Sequence, residues 1–200
     1  MNAILLAGGQ SSRFKSDKAM AKLDGQRLIN RILCRLQEVF NRVYIIVNDK
    51  SNYSFLEGAQ LVTDIIPDKG PLGGLYTGLQ HSTAEYNYLA ACDMPLITVD
   101  YLNFLKNIER DYDVLLPEYK DRLEPLAGIY TKSCLPSIEE QISSNNLKIK
   151  SFFSEIQLEL ISEELVRQIG MPKSLFANIN YRNDLEKLNL FLGGSKIEFN

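Results

Sequence analysis

The chain has 200 residues, 45% of them hydrophobic and 24% charged, with a net charge of -3 and a pI near 5.3. That balance excludes a general attraction to nucleic acid or to an anionic membrane, so any phosphate binding has to be local. Three scattered cysteines, Cys34, Cys92 and Cys134, and the lone His81 exclude a disulfide framework, a zinc site and a Ser/Cys–His nucleophile. No basic leader precedes the apolar start and no apolar run is long enough to span a bilayer, which predicts a cytoplasmic protein. Nothing in the composition marks a break, so residues 1–200 are expected to form one domain.

Asn2 to Ala7 read as a short buried strand that stops at Gly8-Gly9. The loop that follows carries small residues, hydroxyls and the cations Arg13, Lys15 and Lys18. Glycines after a strand let backbone N–H groups approach phosphate oxygens, and long cationic stems supply charge. Neither the P-loop spacing nor the dinucleotide-binding spacing is present. Leu28, Ile29, Ile32, Leu33, Leu36, Val39 and Phe40 recur at helical spacing, and Val43 to Val47 is a continuous apolar run ending at Asn48-Asp49. Strand, helix and strand in that order predict a parallel pair.

Gln60 to Thr63 predicts a third strand, closed by Asp64, and the segment from Pro67 to Leu75 holds a second glycine-rich run opening a helix. Tyr86 to Ala91 predicts a fourth strand, ending at Cys92-Asp93-Met94-Pro95. Thr98 suits the cap of a helix with Leu102, Leu105 and Ile108 on one face. Tyr112 to Leu116 and Leu123 to Tyr130 read as further strands, the second with Pro125 as a sign of an edge or bulge. Helices are expected from about Cys134 to Ile142 and near Ile149 to Phe153, a strand over Ile156 to Leu160, and a brief turn from Ser162. Leu175 to Asn180 predicts a last strand that would put Asn178 and Asn180 on one face. A closing helix through Leu185, Leu188 and Phe191 would end at Gly193-Gly194.

The predicted elements make an α/β fold, a three-layer α/β/α sandwich with a Rossmann-like, mostly parallel sheet. Its first four strands end in the cationic loop, Asn48, Asp64 and Asp93, and in a parallel sheet those ends share one rim. A cationic loop beside acids suits a nucleoside triphosphate, with Arg13 and Lys18 on one side and a divalent metal on Asp93. Magnesium keeps most of its waters and needs only one or two carboxylates, so a single strand-end aspartate is enough.

Leu6-Ala7-Gly8-Gly9 with Ser12-Arg13, Asp17-Lys18-Ala19, Gly70-Pro71-Leu72-Gly73-Gly74, Cys92-Asp93-Met94-Pro95 and Asn178-Ile179-Asn180 together resemble the molybdenum cofactor guanylyltransferases of the nucleotidyltransferase superfamily. The resemblance spans most of the chain. It implies transfer of GMP from GTP to the terminal phosphate of molybdenum-molybdopterin, with Mg2+ as cofactor and release of pyrophosphate. It further implies that Leu6, Ala7 and Gly8 line the nucleotide, that Arg13 and Lys18 contact its phosphates, and that Asn48 and Asp64 help hold the nucleoside. Asp93 would bind the metal and the α-phosphate, and Asn178 and Asn180 the acceptor. Residues 1–97 would then form a nucleotide-binding half and 98–200 an acceptor-binding half, with molybdoenzymes or other cofactor-assembly proteins as partners. Phe14-Lys15 and Tyr181-Arg182 depart from that family's usual Met-Gly and Thr-Pro. Two rival readings stay open at this level: a cytidylyltransferase acting on molybdopterin or a small phosphorylated alcohol, and a non-catalytic nucleotide or cofactor carrier. Asp68, four residues beyond Asp64, is an equal candidate to face the nucleotide.

Overall fold

The computed structural model describes residues 1–7, 17–172 and 174–193. Its ten strands are β1 (Asn2–Leu6), β2 (Lys22–Leu23), β3 (Gln26–Arg27), β4 (Val43–Val47), β5 (Gln60–Thr63), β6 (Tyr86–Ala91), β7 (Val114–Tyr119), β8 (Arg122–Leu123), β9 (Ile129–Thr131) and β10 (Leu158–Ile161). The helices are α1 (Leu28–Val39), α2 (Gly70–His81), α3 (Val99–Asn107), α4 (Leu135–Ser143), α5 (Glu163–Gln168) and α6 (Arg182–Leu192). No helix among the described residues is long and apolar enough to cross a membrane.

The main sheet runs β10-β7-β9-β6-β1-β4-β5, with β8 hairpinned onto β7. β1 pairs in parallel with both β4 and β6, so the chain winds one way from β1 through β5 and then returns to the other side of β1. Such a reversal opens a crevice at the carboxyl ends of the central strands. The central strands β1, β4 and β6 are buried on both faces, which explains their continuous apolar runs. On one face Leu5 and Ile45 pack with Leu36 of α1 and Leu102 of α3. On the other, Ile4 and Ile46 pack with Leu75 of α2, Ile138 of α4 and Phe152. A third cluster of Leu23, Leu28, Leu96, Ile179 and Leu188 docks α6 beside the small β2–β3 hairpin.

α2 lies directly on β1. A Cβ at Gly74 would stand 2.8 Å from Leu6 Cδ2, and one at Gly78 2.9 Å from Ile4 Cγ1. This glycine stripe brings the amino end of α2 down to the rim where β1 ends.

Three expectations are corrected. Residues 149–153 form no α-helix: the chain turns there, and a short 3-10 turn, Phe153–Glu155, follows. Phe152 is fully buried under the sheet, and its packing decides the local path. The stretch from Leu123 to Tyr130 is not one strand but β8, a 3-10 turn at Pro125–Ala127, and β9. Lys120 and Asp121, with φ of 51° and 57°, close the tight β7–β8 turn, and Pro125 starts the 3-10 turn where no backbone donor is needed. Leu175 to Asn180 is not a strand. Its donors are taken elsewhere, Ile179 N by the Asp93 carbonyl at 2.8 Å and Asn180 N by Asp184 Oδ2 at 2.8 Å. Asn178 is therefore half-buried and Asn180 exposed. They do not form the shared face that a strand would give.

Candidate active site

A cleft of about 480 Å3 opens at the carboxyl ends of β1, β4, β5 and β6, within the roughly 300–1,000 Å3 usual for small-molecule sites. Its floor is Leu6 and Ala7 at the end of β1, and one wall carries Asn48, Asp64 and Asp68. Lys18, Cys92 and Asp93 stand across from that wall, and Leu126 closes the side towards β9.

Lys18 Nζ meets Asp93 Oδ2 at 3.1 Å, with the two side chains 16% and 22% exposed. Both are held from behind. Asp17 caps the short 3-10 turn Lys18–Met20 by accepting from Ala19 N at 3.0 Å, and Ala19 is buried under it. The other Asp17 oxygen lies 2.6 Å from the Tyr53 hydroxyl, which is also 2.7 Å from the Ala7 carbonyl oxygen. One hydroxyl thereby joins the end of β1 to the lysine-bearing turn. Burial first, and then the Asp17 carboxylate, push the Tyr53 hydroxyl well above the usual tyrosine range, so it stays a donor. Tyr53→Phe should therefore cost about 1–3 kcal/mol of stability and slow turnover roughly ten- to hundredfold by loosening Lys18. A thermal melt and a pyrophosphate-release assay check both.

Asp93 is anchored through its carbonyl to Ile179 N, and Arg35 Nη1 donates to the Pro95 carbonyl just beyond. Asp93 Oδ1 is buried with no hydrogen-bond partner among the described residues. A buried carboxylate oxygen left unpaired is costly unless a ligand completes it. Among the described residues no three His, Cys, Asp or Glu side chains converge on one point. A cation here would rest on the Asp93 carboxylate, its own waters and phosphate oxygens, a donor set that fits magnesium.

Asp64 is partly committed to the scaffold: its Oδ1 accepts from Thr77 Oγ1 at 2.6 Å and from Ile66 N at 3.0 Å, tying α2 to the end of β5. Asp68 also faces the cleft, held by a backbone with φ of 64°. The Cys92 thiol is fully buried, and that burial raises it far from a reactive range. His81 sits at the end of α2 with Nδ1 2.9 Å from the Thr77 carbonyl oxygen.

The structure thus gathers Leu6, Ala7, Lys18, Asn48, Asp64 and Asp93 at one cleft. Gly8 and Arg13 lie outside the described residues. Among those described, neither Asn178 nor Asn180 lines the cleft. Asn178 adjoins Ile179, which is bonded to Asp93, and its Oδ1 is buried with no partner among the described residues. Sequence reasoning missed Asp17, Tyr53 and Thr77, and left Glu124 equally open to a substrate contact or a strand edge. Asp17 had a local signal in the Asp-Lys pair, whereas Tyr53 reaches it across 36 residues. Glu124, half-buried, is pushed up to about 7 by burial and by the charge of Asp93, against the pull of Lys150 and Arg122.

A mostly parallel sheet that reverses at β1, with a lysine and an aspartate paired at its rim, defines an α/β protein of the nucleotidyltransferase type. The MobA-like NTP transferase domain matches residues 3–160. The chain is 34% identical over 190 residues, 94% of its length and 95% of the relative's, to a probable molybdenum cofactor guanylyltransferase of Clostridium perfringens. It is 32% identical over 199 residues, 98% of each chain, to the molybdenum cofactor guanylyltransferase of Desulfosudis oleivorans. In fold it is similar to molybdopterin-guanine dinucleotide biosynthesis protein A from Archaeoglobus fulgidus, with a TM-score of 0.84 at 24% identity over 98% of this chain and 100% of that one. The chain belongs to the MobA-like NTP transferase family.

Proposed function

We propose that the protein transfers GMP from GTP to the terminal phosphate of molybdenum-molybdopterin, releasing pyrophosphate and forming the guanine dinucleotide cofactor. The observation that carries this reading is the Lys18–Asp93 pair, 3.1 Å apart, at the switch point of the sheet. The names borne by the bacterial relatives support the choice of GTP and of a molybdopterin acceptor.

The attacking group is the acceptor's own phosphate, largely ionised near neutral pH, so the chain needs no general base. Its task is to align two anions and offset their repulsion. Lys18, a compact cation on a flexible stem, serves the phosphates, and Arg13 would add a planar fork. Asp93 would hold Mg2+ through Oδ1, and the bound ion supplies charge stabilisation at the phosphates and the leaving pyrophosphate. Leu6, Ala7 and Gly8 would line the nucleotide. Asn48 and Asp64 would hold the nucleoside on the β4–β5 side, while residues 98–200, Asn178 and Asn180 among them, would receive the acceptor. The finished cofactor would pass to molybdoenzymes or other assembly proteins.

Purified protein given Mg2+, the pterin acceptor and each nucleoside triphosphate in turn is expected to release pyrophosphate with GTP. Preference for CTP would replace this reading with a cytidylyltransferase. Absence of pyrophosphate with every triphosphate would mark a carrier.

A further inference from the structure

Glu124 is half-buried, and among the described residues its carboxylate has no hydrogen bond or ion pair. Its place follows from the antiparallel pairing of β6 and β9. Tyr86, Asn87 and Tyr88 face Thr131, Tyr130 and Ile129, and the ladder continues as Leu89 N donates to the Gly128 carbonyl at 2.8 Å. There the ladder gives way to the Pro125–Ala127 turn, whose Leu126 lines the cleft together with Ala91 at the end of β6. Glu124 begins that turn two residues before Leu126, within reach of the charge of Asp93. The Pro125–Ala127 turn fixes this edge, with Tyr130 donating to the Pro125 carbonyl at 2.8 Å and Ala127 N to the Glu124 carbonyl at 3.1 Å.

Asp93 therefore divides the rim. Asn48, Asp64 and Asp68 stand on the β4–β5 side and Glu124 on the β9 side. An unpaired carboxylate repels phosphate and suits a group presenting N–H donors. A 2-amino-4-oxopyrimidine edge offers a ring N–H and an amino N–H side by side, matched to two carboxylate oxygens in the manner of a bidentate pair.

We infer that Glu124 is the specificity residue for the acceptor ring, accepting hydrogen bonds from the 2-amino-4-oxo edge of a pterin; this rests on the acceptor assignment above. Guanine bears the same edge, but the nucleoside wall lies across Asp93 from Glu124. One edge chemistry is thus met at two separate places, and only the acceptor's is read by Glu124.

The test titrates the protein with 6-hydroxymethylpterin monophosphate and with the analogue whose 2-amino group is replaced by oxygen, following quenching of ring fluorescence. GTP binding is measured in parallel. Wild type is expected to prefer the amino compound by about tenfold or more, because a site built to pair an N–H rejects a ligand lacking it. E124Q should lose that preference with GTP affinity unchanged, which also verifies its fold. An E124Q protein that keeps the preference, a loss of GTP affinity equal to that for the pterin, or a wild type that favours neither compound would each overturn the inference. These titrations involve no group transfer, so they stand apart from any failure of the transferase reading itself.

Discussion

Asp93→Asn is expected to cut pyrophosphate release at least about a hundred- to a thousandfold, the usual effect of deleting one preorganised electrostatic group, while the protein stays folded. The substitution keeps the side-chain shape and the carbonyl that receives Ile179 N, so the turn into Met94 and Pro95 stays anchored. What it removes is the charge facing Lys18 and the carboxylate oxygen buried without a partner among the described residues. The pair is partly solvated, which makes its own contribution to stability small. The melting temperature should therefore move little while activity is lost. Stripping divalent metal from the wild type with a chelator should bring its rate down towards that of the variant, and added Mg2+ should restore the wild type alone. A variant as active as the wild type would show that the phosphates are managed elsewhere.

Gly128→Ala should be the most damaging of the small changes to stability. Gly128 has an ordinary extended backbone, so the penalty is spatial and not conformational. A Cβ there would stand 2.6 Å from the Leu115 carbonyl oxygen of β7 and closer still to Leu116 Cδ2. The leucine end can rotate, but a sheet carbonyl cannot, so β7 and β9 would have to separate. Overpacking of this kind costs about 1–3 kcal/mol or more. In a chain of this size, that lowers the melting temperature by roughly 2–4 °C per kcal/mol. The turn bearing Glu124 and Leu126 would shift with β9, so acceptor KM should rise more than GTP KM. A thermal melt unchanged from the wild type would mean that the two strands have slack.

Much of this architecture is legible from local pattern. The apolar runs at β1, β4, β5 and β6, the amphipathic α1 and the Thr98 cap on α3 all depend on neighbours a few residues away, and they fall where periodicity puts them. The polar strand ends follow too, because parallel strands must terminate on the same side: Asn48, Asp64 and Asp93 were expected at one rim, and all three line it. Errors gather where distant groups compete for the backbone. The Asn178–Asn180 segment has strand-like composition, yet the Asp93 carbonyl and the Asp184 carboxylate claim its N–H donors. The Ile149–Phe153 stretch looks helical, yet burial of Phe152 beneath the sheet sets its course.

Composition, period and motif spacing alone determined an acidic α/β chain whose early strands end in phosphate- and metal-competent groups, since each of those properties is carried by a few adjacent side chains. The antiparallel insertion of β9 between β6 and β7, the Tyr53 strut behind Lys18, and the approach of Glu124 to Asp93 came only with the folded chain. Each is a meeting of residues tens of positions apart, Lys18 and Asp93 themselves by 75. Such meetings are selected by the packing free energy of the whole core, to which no short stretch of sequence has access.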